Sequence, residues 1–238
     1  MTGTGWPGRV AASALMLATL AAVGHAQESV QERVAALKTA LAENAAAQRH
    51  YTWIETTQVE LNGEVKSTNS MSCKYVAGSS KPDCTQIGAP PAPPKVRGPL
   101  RKSIAKDKIK DLKAYMDSVK TLVATYVPPE PEPIQKAQQR GDVAVAPNPS
   151  NGTTKVTITN YHQQGDAVAI TMRQAERKLV EVGVKTWLND PSATVTLTVQ
   201  MITLPNGVTF PAKKVLTAEA KGITVIITSS NFAQAVAQ

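Results

Sequence analysis

The sequence predicts an α+β fold: a curved antiparallel sheet, a half-barrel, with an N-terminal helix and a second, inserted amphipathic helix covering one face. Three observations predict it. From Tyr51 onward, run after run of residues alternates apolar with polar, the period of a strand with one buried face. The breaks between runs are short and carry turn residues, which makes neighbouring strands antiparallel. Two other stretches repeat their apolar residues every three or four positions, the period of a helix.

The chain opens with Arg9, an apolar run from Val10 to Val23, and Gly24-His25-Ala26. Small residues at 24 and 26 fit a signal-peptidase site, so residues 1–26 are expected to be a cleaved leader and the mature protein to be periplasmic. The run is too short to span a hydrocarbon core of about 30 Å, and no later segment is apolar enough, so no transmembrane segment is expected after cleavage. A lipoprotein signal needs a Cys at the cleavage point, and the first Cys is Cys73, so no lipidation is expected. Removing residues 1–26 from the 238 leaves 212, a length that fits a single domain over 27–238.

Helix signals begin at Ser29 and Glu32, a capping-box pair, and continue as a seam of Val30, Val34, Leu37, Leu41 and Ala45 to about Gln48. The period then falls to two. Tyr51, Trp53, Thr57, Val59 and Leu61 alternate with polar partners, Asn62-Gly63 supplies type I′ turn chemistry, and Val65, Met71, Cys73 and Tyr75 run onward, giving a hairpin. Cys73 and Cys84, in an oxidising compartment, are expected to pair as a disulfide across a short loop.

Residues 88–150 read as a Pro-rich, basic insertion. Prolines cluster from Gly88 to Pro99 and from Pro128 to Pro133, and between them lies the second helix, with Ser103 as its expected N-cap and Pro128-Pro129 as its stop. Its stripe is Ile109, Leu112, Met116, Val119, Val123 and Tyr126. The mature chain carries 25 basic against 18 acidic side chains, a net +7, and the segment from Lys95 to Lys120 holds nine basic residues against three acidic ones. Beyond a loop at 147–152, strand signals return at Val156–Ile158, Val168–Met172, Val180–Val184, Val195–Met201 and Ile223–Ile227. Turns fall at Gln164-Gly165-Asp166, Asn189-Asp190-Pro191 and Pro205-Asn206-Gly207.

The stretch LKTALAENAAAQRHYTWIETTQVELNGEVK (Leu37 to Lys66), with GDAVAI (Gly165 to Ile170) and LPNGVTFPAKKV (Leu204 to Val215), resembles exported bacterial proteins of the periplasmic lipoprotein-carrier and outer-membrane lipoprotein-sorting group. The resemblance implies an unclosed antiparallel half-barrel, lidded by helices, whose concave face holds acyl chains. It implies no catalytic or binding residue, and the basic insertion departs from the carriers.

No catalytic motif is present: the mature chain has no His-Glu-X-X-His, Gly-X-Ser-X-Gly, phosphate loop or dinucleotide fingerprint. A non-enzymatic protein without cofactor or metal is therefore expected. His50 and His162 read as junction or surface residues. Aromatic residues make up 4% of the chain and none interleaves with the basic cluster, which excludes nucleic acid as the natural partner of the charge. Acyl chains or a lipoprotein, anionic lipid headgroups, or an acidic envelope protein fit better. Two function classes stay open: a periplasmic carrier with a cavity lined by Trp53, Glu55, Val59, Ile109, Leu112 and Met116, and an interaction or sensor module of the same fold with a filled core. Glu55 shares the face of Trp53 and Val59, so there its carboxylate needs either a partner or water at a rim.

Overall fold

The computed structural model describes residues 39, 42–76, 79, 82–88, 99–127, 129–173, 175–176 and 178–235. The expected leader, most of the expected first helix and much of the first Pro-rich stretch lie outside the described residues. A short helix, α1, occupies residues 42–48. Then come strands β1 (Tyr51–Leu61), β2 (Glu64–Tyr75) and β3 (Pro82–Ile87), helices α2 (Pro99–Ala124) and α3 (Pro131–Arg140), and strands β4 (Val143–Asn148), β5 (Thr153–Thr159), β6 (Ala167–Arg173), β7 (Lys178–Trp187), β8 (Thr194–Thr203), β9 (Thr209–Ala218) and β10 (Ile223–Gln234). Among the described residues no helix is long and apolar enough to cross a membrane.

All ten strands form one open, curved antiparallel sheet in the order β3-β2-β1-β10-β9-β8-β7-β6-β5-β4. It consists of two meanders, β1–β3 and β4–β10, joined where β1 pairs with β10. Since β3 and β4 are opposite edges, the chain between them must cross the whole sheet, and α2 and α3 make that crossing over its apolar face.

Local chemistry sets the turns. Asn62 and Gly63 both take positive φ, 52° and 79°, as the type I′ hairpin requires. Gly165 and Gly207 take positive φ at the two Gly-containing turns expected from sequence. Cys73 and Cys84 stand directly opposite each other on β2 and β3 and are disulfide-bonded, Cα to Cα 4.1 Å, so the bond ties the edge strand β3 to the sheet. Closing a loop of this size contributes about 3 kcal/mol by chain entropy.

The insertion holds more regular structure than its prolines suggest. α2 starts at Pro99, before the expected cap Ser103, because proline at the first helical position loses no intrahelical bond and its fixed φ already suits a helix. The second Pro-rich stretch becomes α3, again with proline at its start, and ends at Gly141 in the left-handed conformation. β4 then pairs with β5 inside the span expected to be an insertion, its last two residues, Pro147 and Asn148, falling in the loop expected at 147–152.

Candidate functional site

Cross-strand register shows which side chains share the helix-bearing face. From β5 to β1 one row reads Ile158, Val168, Val184, Leu197, Leu216, Val225 and Val59. The next row toward the far strand ends reads Val156, Ile170, Val182, Val199, Lys214, Ile227 and Thr57. Directly opposite residues lie on one side of a sheet, so these rows form a continuous surface.

The helices seal this face unevenly. Tyr126 at the end of α2 and Ile134 and Ala137 of α3 close over Ile158, Val168, Ile170 and Val184. Met116, Val119 and Val123 of α2 close over Val195, Ala218 and Ile223. Each Val, Ile or Met among them contributes about 1.5–3 kcal/mol on withdrawal from water. At the far end, Tyr51, Trp53, Cys73 and Phe210 form a third, aromatic cluster, with Trp53 and Phe210 centroids 6.0 Å apart and Phe232 stacked on Phe210 at 4.6 Å. α1 anchors this end: Asn44 Nδ2 and Gln48 Nε2 donate to the Thr209 carbonyl, and Thr209 N–H donates to Asn44 Oδ1.

Leu197, Leu216 and Val225 pack at the margin of the α2 cluster, and beyond them the face toward the aromatic cluster continues through Val59, Val199 and Ile227. Val59, Val225, Ile227, Leu216, Leu197 and Val199, from four adjacent strands, are all half-buried. One ion pair lies among them. Lys214 Nζ on β9 donates to Glu55 Oε2 on β1 at 3.0 Å, and because β10 runs between those strands the two side chains meet above it. Ser229, opposite Glu55 on β10, is buried. Glu55 thus has the partner that its position on an apolar face demands.

The six residues singled out from sequence do not form one lining. Trp53 is in the aromatic cluster, Glu55 and Val59 are on the half-buried strip, Met116 is in the α2 cluster, and Leu112 packs at its margin. Ile109 is 54% exposed, because residues 107–111 precede the part of α2 that packs on the sheet, and only Leu112 among them and their next neighbour is half-buried. An open depression of about 500 Å³ lies elsewhere, lined by Asp117, Ser118, Thr121 and Leu122 of α2 and by Leu188; none of the six residues lines it.

Two features escaped sequence reading. Lys214 had a usable signal, since consecutive lysines at 213 and 214 in an alternating strand force one onto the apolar face. The other is a buried polar joint. Asp166, fully buried, accepts Tyr161 N–H on Oδ1 at 2.6 Å, and on Oδ2 the Tyr126 hydroxyl at 2.7 Å and the His162 and Gln163 N–H groups at 3.0 and 2.9 Å. Gln163 Nε2 donates to Thr186 Oγ1, whose hydroxyl is 2.8 Å from that of Tyr126. Burial pushes the Tyr126 hydroxyl well above the ordinary tyrosine range, the Thr186 bond opposing and Asp166 reinforcing the shift. His162 packs edge-on against Tyr126 and Tyr161 and places Nε2 2.8 Å from the Thr125 carbonyl, while His50 sits exposed in the turn before β1. Among the described residues, no group of three or more His, Cys, Asp or Glu side chains could hold a metal ion.

No family model matches the chain, and no curated protein sequence matches it. A crystal structure of a DUF1329 family protein from Desulfovibrio piger is similar over 86% of this chain and 94% of its own, with 8% identity and a TM-score of 0.40.

Proposed function

We propose that the chain is an exported, non-enzymatic binding protein that holds an acyl chain along the half-buried strip of its sheet, from the margin of the α2 cluster toward the aromatic cluster. The observation that carries this reading is the strip itself. Val59, Val225, Ile227, Leu216, Leu197 and Val199 line a half-buried surface across four strands, Leu197, Leu216 and Val225 at the margin of the α2 cluster and the Glu55–Lys214 pair set among the others. A protein that used the sheet only as a scaffold gains by sealing such a surface, since each buried methylene stabilises the fold by about 0.8 kcal/mol. An extended hydrocarbon chain lying across the strands recovers the same free energy on binding. The disulfide agrees with an oxidising compartment outside the cytoplasm.

Native mass spectrometry of the mature protein from the periplasm of its producing cells, with lipid extraction of the same sample, tests the reading. The expected result is a reproducible mass excess that extracts as acylated lipid and is lost in Val59→Asp, while Val76→Asp, exposed beyond the strip, keeps it. A clean apo mass that stays unchanged after incubation with lipids or acylated peptides overturns the acyl-chain reading.

A further inference from the structure

We propose that the edge strand β4 is a docking edge for a second copy of this chain, which pairs with it antiparallel about Ala144 and joins the two sheets into one. Among the described residues the sheet has two edges with no further strand, and they differ in kind. β3, Pro82-Asp83-Cys84-Thr85-Gln86-Ile87, is polar, begins with proline, and is bolted to β2 by the disulfide. Proline and charge are the usual devices that keep an edge from pairing. β4 carries Val143-Ala144-Val145-Ala146 before its one proline, with no charge and no register shift against β5, and Val145 is 54% exposed.

Hydrogen-bond phase fixes which groups face outward. Thr159 N–H donates to the Asp142 carbonyl at 2.9 Å, so 142 and 159 form a hydrogen-bonded antiparallel pair. Phase alternates along the ladder, so 144 and 146 bond to β5 while 143, 145 and 147 direct their backbone groups to the open edge. Pro147 falls in the outward phase, the only one a residue without N–H can occupy here. Val143 and Val145 are therefore the two residues that offer both N–H and C=O to a partner.

Self-pairing about Ala144 uses all four groups. It sets Val143 opposite Val145 of the other copy, and the reverse, in the hydrogen-bonded phase. Ala144 then meets Ala144, and Asp142 falls opposite Ala146, so no like charges confront each other. Shifting the centre to Val145 also gives four bonds, but it sets the ring of Pro147, which has no N–H, against the Val143 carbonyl of the other copy, where a central pairing position does not accept proline. The symmetry is isologous, so assembly stops at two. Four residues a side bury little surface, which makes this a weak, reversible dimer rather than a permanent one.

The test is site-specific cross-linking of the mature protein. In the proposed register Ala144 and its copy are a directly opposed, non-hydrogen-bonded pair about 4.5 Å apart at Cα, within the span a disulfide bridges. Cys73 and Cys84 bridge an opposed pair of this sheet at 4.1 Å. Ala144 and Ala146 are both exposed, so Ala144→Cys and Ala146→Cys perturb the fold alike. Under air oxidation Ala144→Cys should form a covalent dimer at least about tenfold faster than Ala146→Cys, whose partner is Asp142. Sedimentation equilibrium should show the unmodified protein passing from monomer to dimer toward millimolar concentration, and Val145→Lys holding it monomeric. Equal cross-linking rates, a protein monomeric at every concentration, or open-ended oligomers each overturn the proposal.

Discussion

Replacing Asp166 by Asn tests whether one buried carboxylate is the joint that holds α2 to the sheet. Four donors converge on its two oxygens: three backbone N–H groups of the loop after β5, and the Tyr126 hydroxyl from the end of α2. A carboxylate accepts all four, but a carboxamide has one acceptor oxygen. In its better orientation Asn keeps that oxygen on the three-donor side and turns its NH₂ toward the Tyr161 N–H. Two buried donors then face each other, each costing about 1–3 kcal/mol, and three charge-assisted bonds become ordinary ones. The sum is about 4 kcal/mol, a large part of the 5–15 kcal/mol that separates a typical domain from its unfolded state. For a domain of this length it corresponds to a fall in Tm of about 8–16 °C. Urea denaturation followed by tryptophan fluorescence measures it, since Trp187 bonds through its carbonyl to Gln163 of the same network. Tyr126→Phe should cost about 2 kcal/mol, and the double variant less than the sum of the two. A loss below about 1 kcal/mol in Asp166→Asn refutes the joint.

Two further outcomes follow from single groups. The Tyr126 hydroxyl is held protonated by burial, so the folded protein keeps a proton that the unfolded chain releases near pH 10; this stabilisation is complete below about pH 10 and is lost as pH rises beyond it. Denaturation midpoints should therefore fall on the alkaline side, and fall less in Tyr126→Phe than in the unmodified protein. Gly222, at φ 59°, packs on the β1–β2 turn: its carbonyl accepts the Asn62 N–H at 2.7 Å, and a Cβ placed there would lie 2.0 Å from Asn62 Oδ1. Gly222→Ala should cost about 2 kcal/mol, of which the left-handed backbone accounts for about 1, and Asn62→Gly should recover the remainder; an unchanged cost in the double variant shows that the side-chain contact is immaterial.

Strand periodicity and turn chemistry carried most of the fold because both are local. Asn62-Gly63 turns where its positive φ preference demands, and the runs around Ile158, Val168, Val182, Val195 and Ile223 become β5, β6, β7, β8 and β10. Proline density misleads where proline position decides. At Pro131 it starts a helix instead of preventing one, and at Pro147 it sits in the outward phase of an edge strand, where a missing N–H costs nothing. Ile109 lies on a good helical stripe yet stays exposed, since the stripe reports which residues could face the sheet and not how far the sheet extends. The Tyr126–Asp166 joint and the Glu55–Lys214 pair were out of reach for another reason: their partners are 40 and 159 residues apart, and only the assembled sheet brings them together.

The same distance governs how the sheet itself closes. Every strand pairing but one joins neighbours in sequence, and the exception, β1 with β10, bonds Tyr51 to Gln234 and Leu61 to Ile223 across almost the whole described chain. The Ala235 N–H even donates to the His50 carbonyl, so the two ends of the sheet-forming chain lie side by side in its middle. Closing that pairing costs loop entropy before any contact returns it, and folding slows as such non-local contacts come to dominate. A circular permutant that joins Ala235 to Ala42 through a flexible linker, and opens the chain between Gly88 and Pro99, converts β1–β10 into a neighbouring pair. It turns ten strands into one continuous meander that runs from β4 to β3 without altering a contact in the sheet. The permutant should keep the same circular dichroism and stability to within about 1 kcal/mol, yet refold about tenfold faster in stopped-flow dilution from urea. Equal refolding rates at equal stability would place the rate-limiting step inside the β4–β10 meander and its helices, not at the junction of the two meanders.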